Sequence, residues 1–119
     1  MTHDGFKSLI VWQKAMDLAV AIYRATAHFP RSEQYGLTSQ LRRAGYSPSS
    51  NISKGYGRRS PKDQDRFYEI ADGSLAELGT FLILAQRIEY LSQGEYAILE
   101  SQRRETARLL NGFRRRNPS

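Results

Sequence analysis

The chain has 119 residues, 39% of them hydrophobic and 25% charged, with no cysteine and a formal net charge of +6. That length suits a single domain with a modest buried fraction, and the lack of thiols excludes disulfides, thiolate metal sites and a cysteine nucleophile. The longest apolar runs, Leu18–Tyr23 and Phe81–Ala85, fall far short of the roughly 20 residues that cross a bilayer. Met1 to Phe6 is polar and acidic, unlike a secretory signal, so we expect a soluble, cytoplasmic protein without membrane contacts.

Prolines and glycines divide the chain into four helical blocks. The first spans about Lys7 to His28 and stops before Pro30, because the residue preceding a proline is pushed out of helical geometry. Its apolar residues form two stripes: Leu9, Trp12, Met16, Ala19 and Tyr23, and Val11, Ala15, Leu18, Ile22, Ala25 and Phe29. A bundle helix needs one apolar face. The surplus fits either a central helix in a small core or a second face buried against another subunit. For the latter, Val11, Trp12, Ala15, Leu18 and Ile22 are the candidate oligomer-interface residues.

The second block, from Gly36 to Lys54 or Gly55, has a thin inward stripe of Leu37, Leu41, Ala44, Pro48, Ile52 and Gly55. Pro48 removes a backbone hydrogen bond and should kink or interrupt the helix. The third begins with Ser60 as N-cap, Pro61 at the first helical position and Asp63 in the first turn. It runs to about Tyr90, with Phe67, Ile70, Ser74, Leu78, Phe81, Ala85 and Ile88 facing inward. Gly73, Ser74 and Gly79 are poor mid-helix residues and suggest close approach of a neighbouring helix. The fourth opens on Ser92-Gln93-Gly94-Glu95, a capping-box pattern. Tyr96, Leu99, Thr106, Leu110 and Phe113 then face inward, interrupted by Arg103. No strand-length alternation competes with these helices. Short connections predict an all-α, antiparallel up-down four-helix bundle, one domain over residues 1–119, with mobile tails at 1–5 and 114–119.

Charge is concentrated in two stretches. From Arg42 to Arg66 seven cations face two anions, and from Arg103 to Arg116 six arginines face Glu105 alone. Each stretch therefore carries +5, and the remaining residues sum to −4. Such a directional field attracts polyanions. Arg43, Ser47, Ser50, Lys54 and Arg58 follow at helical spacing and form one cationic, hydroxyl-bearing stripe if the helix survives Pro48. Arg42 lies beside it, and Arg59, Lys62 and Arg66 extend it around the Ser60 cap. These donors match phosphate oxygens; the bland alternative is a solvated surface paired with Asp63, Asp65 and Glu69. The arginines from Arg103 to Arg116 are a weaker candidate for a second contact.

Several segments carry a family resemblance. Phe6-x-x-Leu9-x-Val11-Trp12-x-x-Ala15, Glu33-x-Tyr35-Gly36-Leu37-x-x-Gln40-Leu41-Arg42-Arg43-Ala44, Ser50-Asn51-Ile52-x-x-Gly55-x-x-Arg58 and Arg66-Phe67-x-x-Ile70-Ala71-x-Gly73-Ser74-x-x-Glu77-Leu78 occur in order over Phe6 to about Leu91. Together they resemble the bacterial four-helix-bundle proteins encoded in intervening sequences of large-subunit ribosomal RNA genes. The resemblance implies a cyclic homopentamer. It also implies a relation to the accessory subunit of diversity-generating retroelements, which works with nucleic acid and a reverse transcriptase. Where that family usually reads Ser-Ile-Pro-Ser-Asn-Ile-Ala-Glu-Gly, this chain reads Ser47-Pro48-Ser49-Ser50-Asn51-Ile52-Ser53-Lys54-Gly55. The proline is displaced by one position, and Lys54 replaces a glutamate.

Asp65, Glu69 and Asp72 share a helix face, but Lys62 and Arg66 stand beside them, which favours salt bridges over a divalent-ion site. His3 and His28 lack a second ligand at metal-binding spacing. No nucleophile elbow or phosphate loop is present. Asn51, beside inward-facing Ile52, reads as a structural polar residue, and Trp12, Tyr23 and Tyr35 as core or subunit contacts. We therefore expect a non-enzymatic, homo-oligomeric scaffold that binds RNA or DNA, with no cofactor or metal. The competing reading is an interaction scaffold whose basic surface docks an acidic partner protein.

Overall fold

The computed structural model describes residues 4–119; His3 lies outside them. Four α-helices follow in order: α1 (Ile10–Thr26), α2 (Leu37–Tyr56), α3 (Pro61–Arg87) and α4 (Gln93–Arg115). Short 3-10 turns at Gly5–Ser8 and Arg31–Glu33 precede α1 and α2, and no strand occurs among the described residues. α1 packs on α2 and α4, and α3 packs on the same two helices from the opposite side. The result is an antiparallel four-helix bundle of 43 × 23 × 20 Å.

The helix starts follow local chemistry. Ser60 accepts a hydrogen bond from the Asp63 N–H at 3.1 Å ahead of Pro61. Ser92 and Glu95 close both halves of the capping box, at 3.1 and 2.8 Å. Each satisfies a donor that the helix would otherwise leave unpaired. α2 has no side-chain cap at Gly36; the Glu33 carboxylate instead accepts from the Leu37 N–H at 3.1 Å and from the Tyr90 hydroxyl at 3.0 Å. α3 ends at Arg87, short of Tyr90. The chain turns there through Glu89, at φ 67°, and the N–H groups of Tyr90 and Leu91 both close on the Ala85 carbonyl, as in left-handed C-terminal caps.

α2 runs uninterrupted through Pro48, whose ring is fully buried; apolar packing compensates for the backbone donor it lacks. The expected inward stripe of α2 is buried throughout. On α1 the core face is Val11, Ala15, Leu18 and Ile22, while Met16 and Tyr23 are exposed. α3 departs from expectation by about one position: Tyr68, Ala71, Leu75, Leu78, Leu82 and Ala85 are buried, whereas Ile70 and Ile88 face outward. Leu99, Thr106 and Leu110 of α4 complete the core, with Tyr96 and Phe113 partly buried against it. Residues 114 and 115, expected in a tail at 114–119, form the last turn of α4.

Candidate nucleic-acid interface

Alternation of helix direction brings the C-terminus of α2, the N-terminus of α3 and the C-terminus of α4 to one end of the bundle. Arg114 ties that end together. Its Nε and Nη2 donate to the two carboxylate oxygens of Asp65 at 2.9 and 3.1 Å, and Nη1 lies 3.8 Å from Asp72. Asn117 Nδ2 adds a bond to the Pro61 carbonyl at 2.9 Å. The Arg114 guanidinium holds the Asp65 carboxyl below the usual carboxylate range, against the opposing pull of burial. The end of the second basic stretch is thus joined to the first, from which it stands about 50 residues away in sequence.

On this surface the cations differ in how firmly they are held. Lys54, Arg59 and Lys62 are exposed, and none has an ion pair among the described residues. Arg58 and Arg66 share Asp63, at 4.0 and 3.0 Å, and their guanidinium carbons sit 4.6 and 5.9 Å from the centre of the Phe67 ring. All three charged side chains remain at least a third exposed, and exposed pairs of this kind contribute at most about 1 kcal/mol. They can exchange a carboxylate for a phosphate at little cost. Gly57, Arg58, Arg59, Ser60, Lys62, Asp63 and Arg66 line one open groove. Arg115 and Arg116 are exposed beside it.

Other candidates lie elsewhere. Arg42 donates through Nε to Thr26 Oγ1 at 2.9 Å and through Nη2 to the Tyr23 carbonyl at 3.4 Å, with its charge 4.5 Å from the Tyr23 ring centre. It fastens α2 to the C-terminal turn of α1, where carbonyls favour a cation. Ser47 turns toward α3: its Oγ lies 2.7 Å from Ser74 Oγ and accepts from Asn51 Nδ2 at 3.0 Å. Asn51 also donates to the Ser47 carbonyl at 2.9 Å, so both residues are spent on the α2–α3 contact. Ser50 is half-buried. Arg43 is exposed, but at 1.5 Å per residue it stands roughly 16 Å along α2 from Lys54. The continuous stripe expected along α2 is therefore broken, and the cations gather at its end.

The second basic stretch divides similarly. Arg103 and Arg104 both bind Glu100, at 2.7 and 2.8 Å, and Arg114 is committed to Asp65. Arg108, Arg115 and Arg116 remain exposed. Arg114 takes the place a cation would have occupied beside Asp65 and Asp72. No sequence signal pairs Arg114 with Asp65, which is why the C-terminal arginines read as a separate, weaker site.

The candidate interface residues on α1 need a larger correction. Val11, Ala15, Leu18 and Ile22 are at most 4% exposed within a single chain, so they form its own core, and Trp12 packs edge-on against Phe6 at 5.2 Å. Met16, Val20 and Tyr23 of α1 with Tyr46 of α2 form one open apolar patch.

The family described as 23S rRNA-intervening sequence protein matches residues 7–112. A crystal structure of a protein of unknown function from the S23 ribosomal protein family of Bacteroides thetaiotaomicron superimposes with a TM-score of 0.79. The two are 24% identical, over 88% of this chain and 98% of the other, which shows a common fold. No curated protein matches. Among the described residues no helix is long and apolar enough to cross a membrane.

Proposed function

The chain belongs to the 23S rRNA-intervening sequence protein family, and from that premise we propose a non-enzymatic, cytoplasmic, oligomeric scaffold that grips the phosphate backbone of RNA or DNA with the cationic end of its bundle. The observation that carries this reading is the gathering of Arg58, Arg59, Lys62 and Arg66 around Asp63, with Lys54 one turn earlier on α2 and Arg115 and Arg116 following the Arg114–Asp65 pair along the chain. Cations without firm partners release counterions when they meet phosphates, and arginine forks match phosphate oxygens in pairs.

Assembly is supported by the open patch of Met16, Val20, Tyr23 and Tyr46, with Arg24 and Arg43 exposed on the same helices. The outward side of α3 offers Ile83, Leu84 and Ile88 together with the acidic Glu69, Asp72 and Glu77. Two exposed apolar patches on different helices give each copy two surfaces for a head-to-tail contact. Such a head-to-tail contact forms a ring where its rotation closes, and the family resemblance points to a ring of five copies. A ring repeats the cationic end around its axis and raises effective concentration on a long polyanion.

Charge reversal tests this reading. Lys54→Glu, Arg59→Glu and Lys62→Glu combined should abolish salt-sensitive RNA and DNA binding while helicity and assembly mass persist. Arg42→Ala, whose guanidinium is held by α1, should destabilise the fold without altering the salt dependence of binding. Unchanged affinity in the triple variant would overturn the assignment, and a nuclease-resistant acidic protein partner on the same residues would replace nucleic acid as the ligand.

A further inference from the structure

Behind the cationic surface, the ends of α2 and α4 and the first turns of α3 leave a cavity of about 200 Å³ lined by Tyr56, Tyr68, Phe113, Gln64, Arg116 and Asn117. That volume is below the roughly 300–1,000 Å³ of sites for drug-sized ligands, so it suits a single planar ring. Two of its walls are fixed, since Tyr68 and Phe113 pack edge to face with centroids 5.1 Å apart. Tyr68 is 1% exposed, yet its hydroxyl has no hydrogen-bond partner among the described residues. The hydroxyl itself is not fully enclosed, so it stands on the cavity wall free to donate to a ligand or water. Burial pushes that hydroxyl up to about 12, so it remains a donor at neutral pH.

The amides supply the complement. Gln64 Nε2 donates to the Arg58 carbonyl at 3.2 Å and Asn117 Nδ2 to the Pro61 carbonyl. One N–H of each amide is thereby engaged, and each carbonyl oxygen is left as an acceptor. Aromatic walls, one donor and two acceptors beside a run of cations form the combination that receives an unstacked base. We propose that this cavity takes one unpaired base of a single-stranded nucleic acid whose neighbouring phosphates lie on Arg116, Lys62 and Arg59. The inference rests on the phosphate-binding reading and adds the class of nucleic acid: a base held in a duplex cannot enter.

The test compares a short mixed-sequence oligonucleotide, made as RNA and as DNA, with its own duplex and with versions carrying single abasic positions. The full chain should bind the single strand about tenfold more tightly than the duplex for at least one sugar, the scale of one stacked base. An abasic position in the seated register should remove that preference. Tyr68→Phe, which keeps the ring, and Tyr56→Ala should each weaken single-strand binding several-fold, with duplex affinity and salt slope unchanged. If either variant fails to fold, the abasic series on the unaltered protein decides. Equal affinity for strand and duplex, with no abasic effect, would overturn the base pocket and leave the phosphate reading standing. Binding of neither form at low salt would remove both.

Discussion

Arg103 carries a charge into the α3–α4 contact because α3 offers no side chain at Gly79. A Cβ there would stand 2.9 Å from the guanidinium carbon. The guanidinium is held by both oxygens of Glu100 at 2.7 Å and reaches the Leu75 carbonyl at 3.3 Å. Those bonds, Arg103's foremost, hold the Glu100 carboxyl below its usual range although burial opposes them. The sign follows. A carboxyl with a lowered folded pKa adds stability above its unfolded value of about 4.3, and that stability is lost as pH falls through the folded value. Denaturant midpoints should drop as pH falls below about 5, and Glu100→Gln should shrink that drop while costing about 1–3 kcal/mol at neutral pH. An identical pH slope in the variant would refute this role. From sequence Arg103 is visible only as an interruption of an apolar stripe. Its partner Glu100 lies at helical spacing, but its seat on Gly79 depends on the packing register of two helices.

At the scale of elements, two backbone positions should respond in opposite directions. Gly55 lets α2 approach α3: a Cβ there would lie 2.7 Å from the Tyr68 ring and 2.9 Å from the Gln64 carbonyl oxygen. The helices would have to separate, so Gly55→Ala should cost about 1–3 kcal/mol. Glu89 holds φ at 67° in the α3–α4 turn, a conformation that costs most non-glycine residues about 1–2 kcal/mol. Glu89→Gly should therefore raise the melting temperature, and two shifts of the same sign would contradict this account of the turns. Caps were legible in the sequence because Ser60 and Ser92 act on neighbours three residues away. The inward face of α3 was less so: Ile70, Ile83, Leu84 and Ile88 give the helix apolar residues on its outer side, and periodicity alone does not rank two overlapping stripes. Close contact at Gly55 and the Ser47–Ser74 bond select Tyr68, Ala71 and Leu75 for the core. Gly73 plays no part in that contact, since nothing lies within 4 Å of a Cβ built there.

For the whole molecule, the apolar patch lies along the middle of α1 and α2, and the cationic surface lies at one end. The proposed assembly face and the proposed phosphate-binding end thus occupy different places and should separate by mutation. Val20 is 41% exposed, so Val20→Glu should leave helicity intact while lowering the mass seen by light scattering; an unchanged mass would show that this patch does not join subunits. The surplus of apolar residues on α1 was visible in the sequence, but not which stripe faces outward, because a single chain and a ring satisfy the same periodicity. Convergence of the two basic stretches was likewise hidden, since it depends on α4 ending beside the start of α3.

The central claim is that this end of the bundle binds phosphates, and the most direct test is salt-titrated binding of RNA and DNA to nuclease-treated protein, with particle mass followed by light scattering. The account predicts tight binding at low salt that weakens steeply and log-linearly as salt rises, from a particle of constant mass. An intact particle that binds neither nucleic acid at low salt would contradict it.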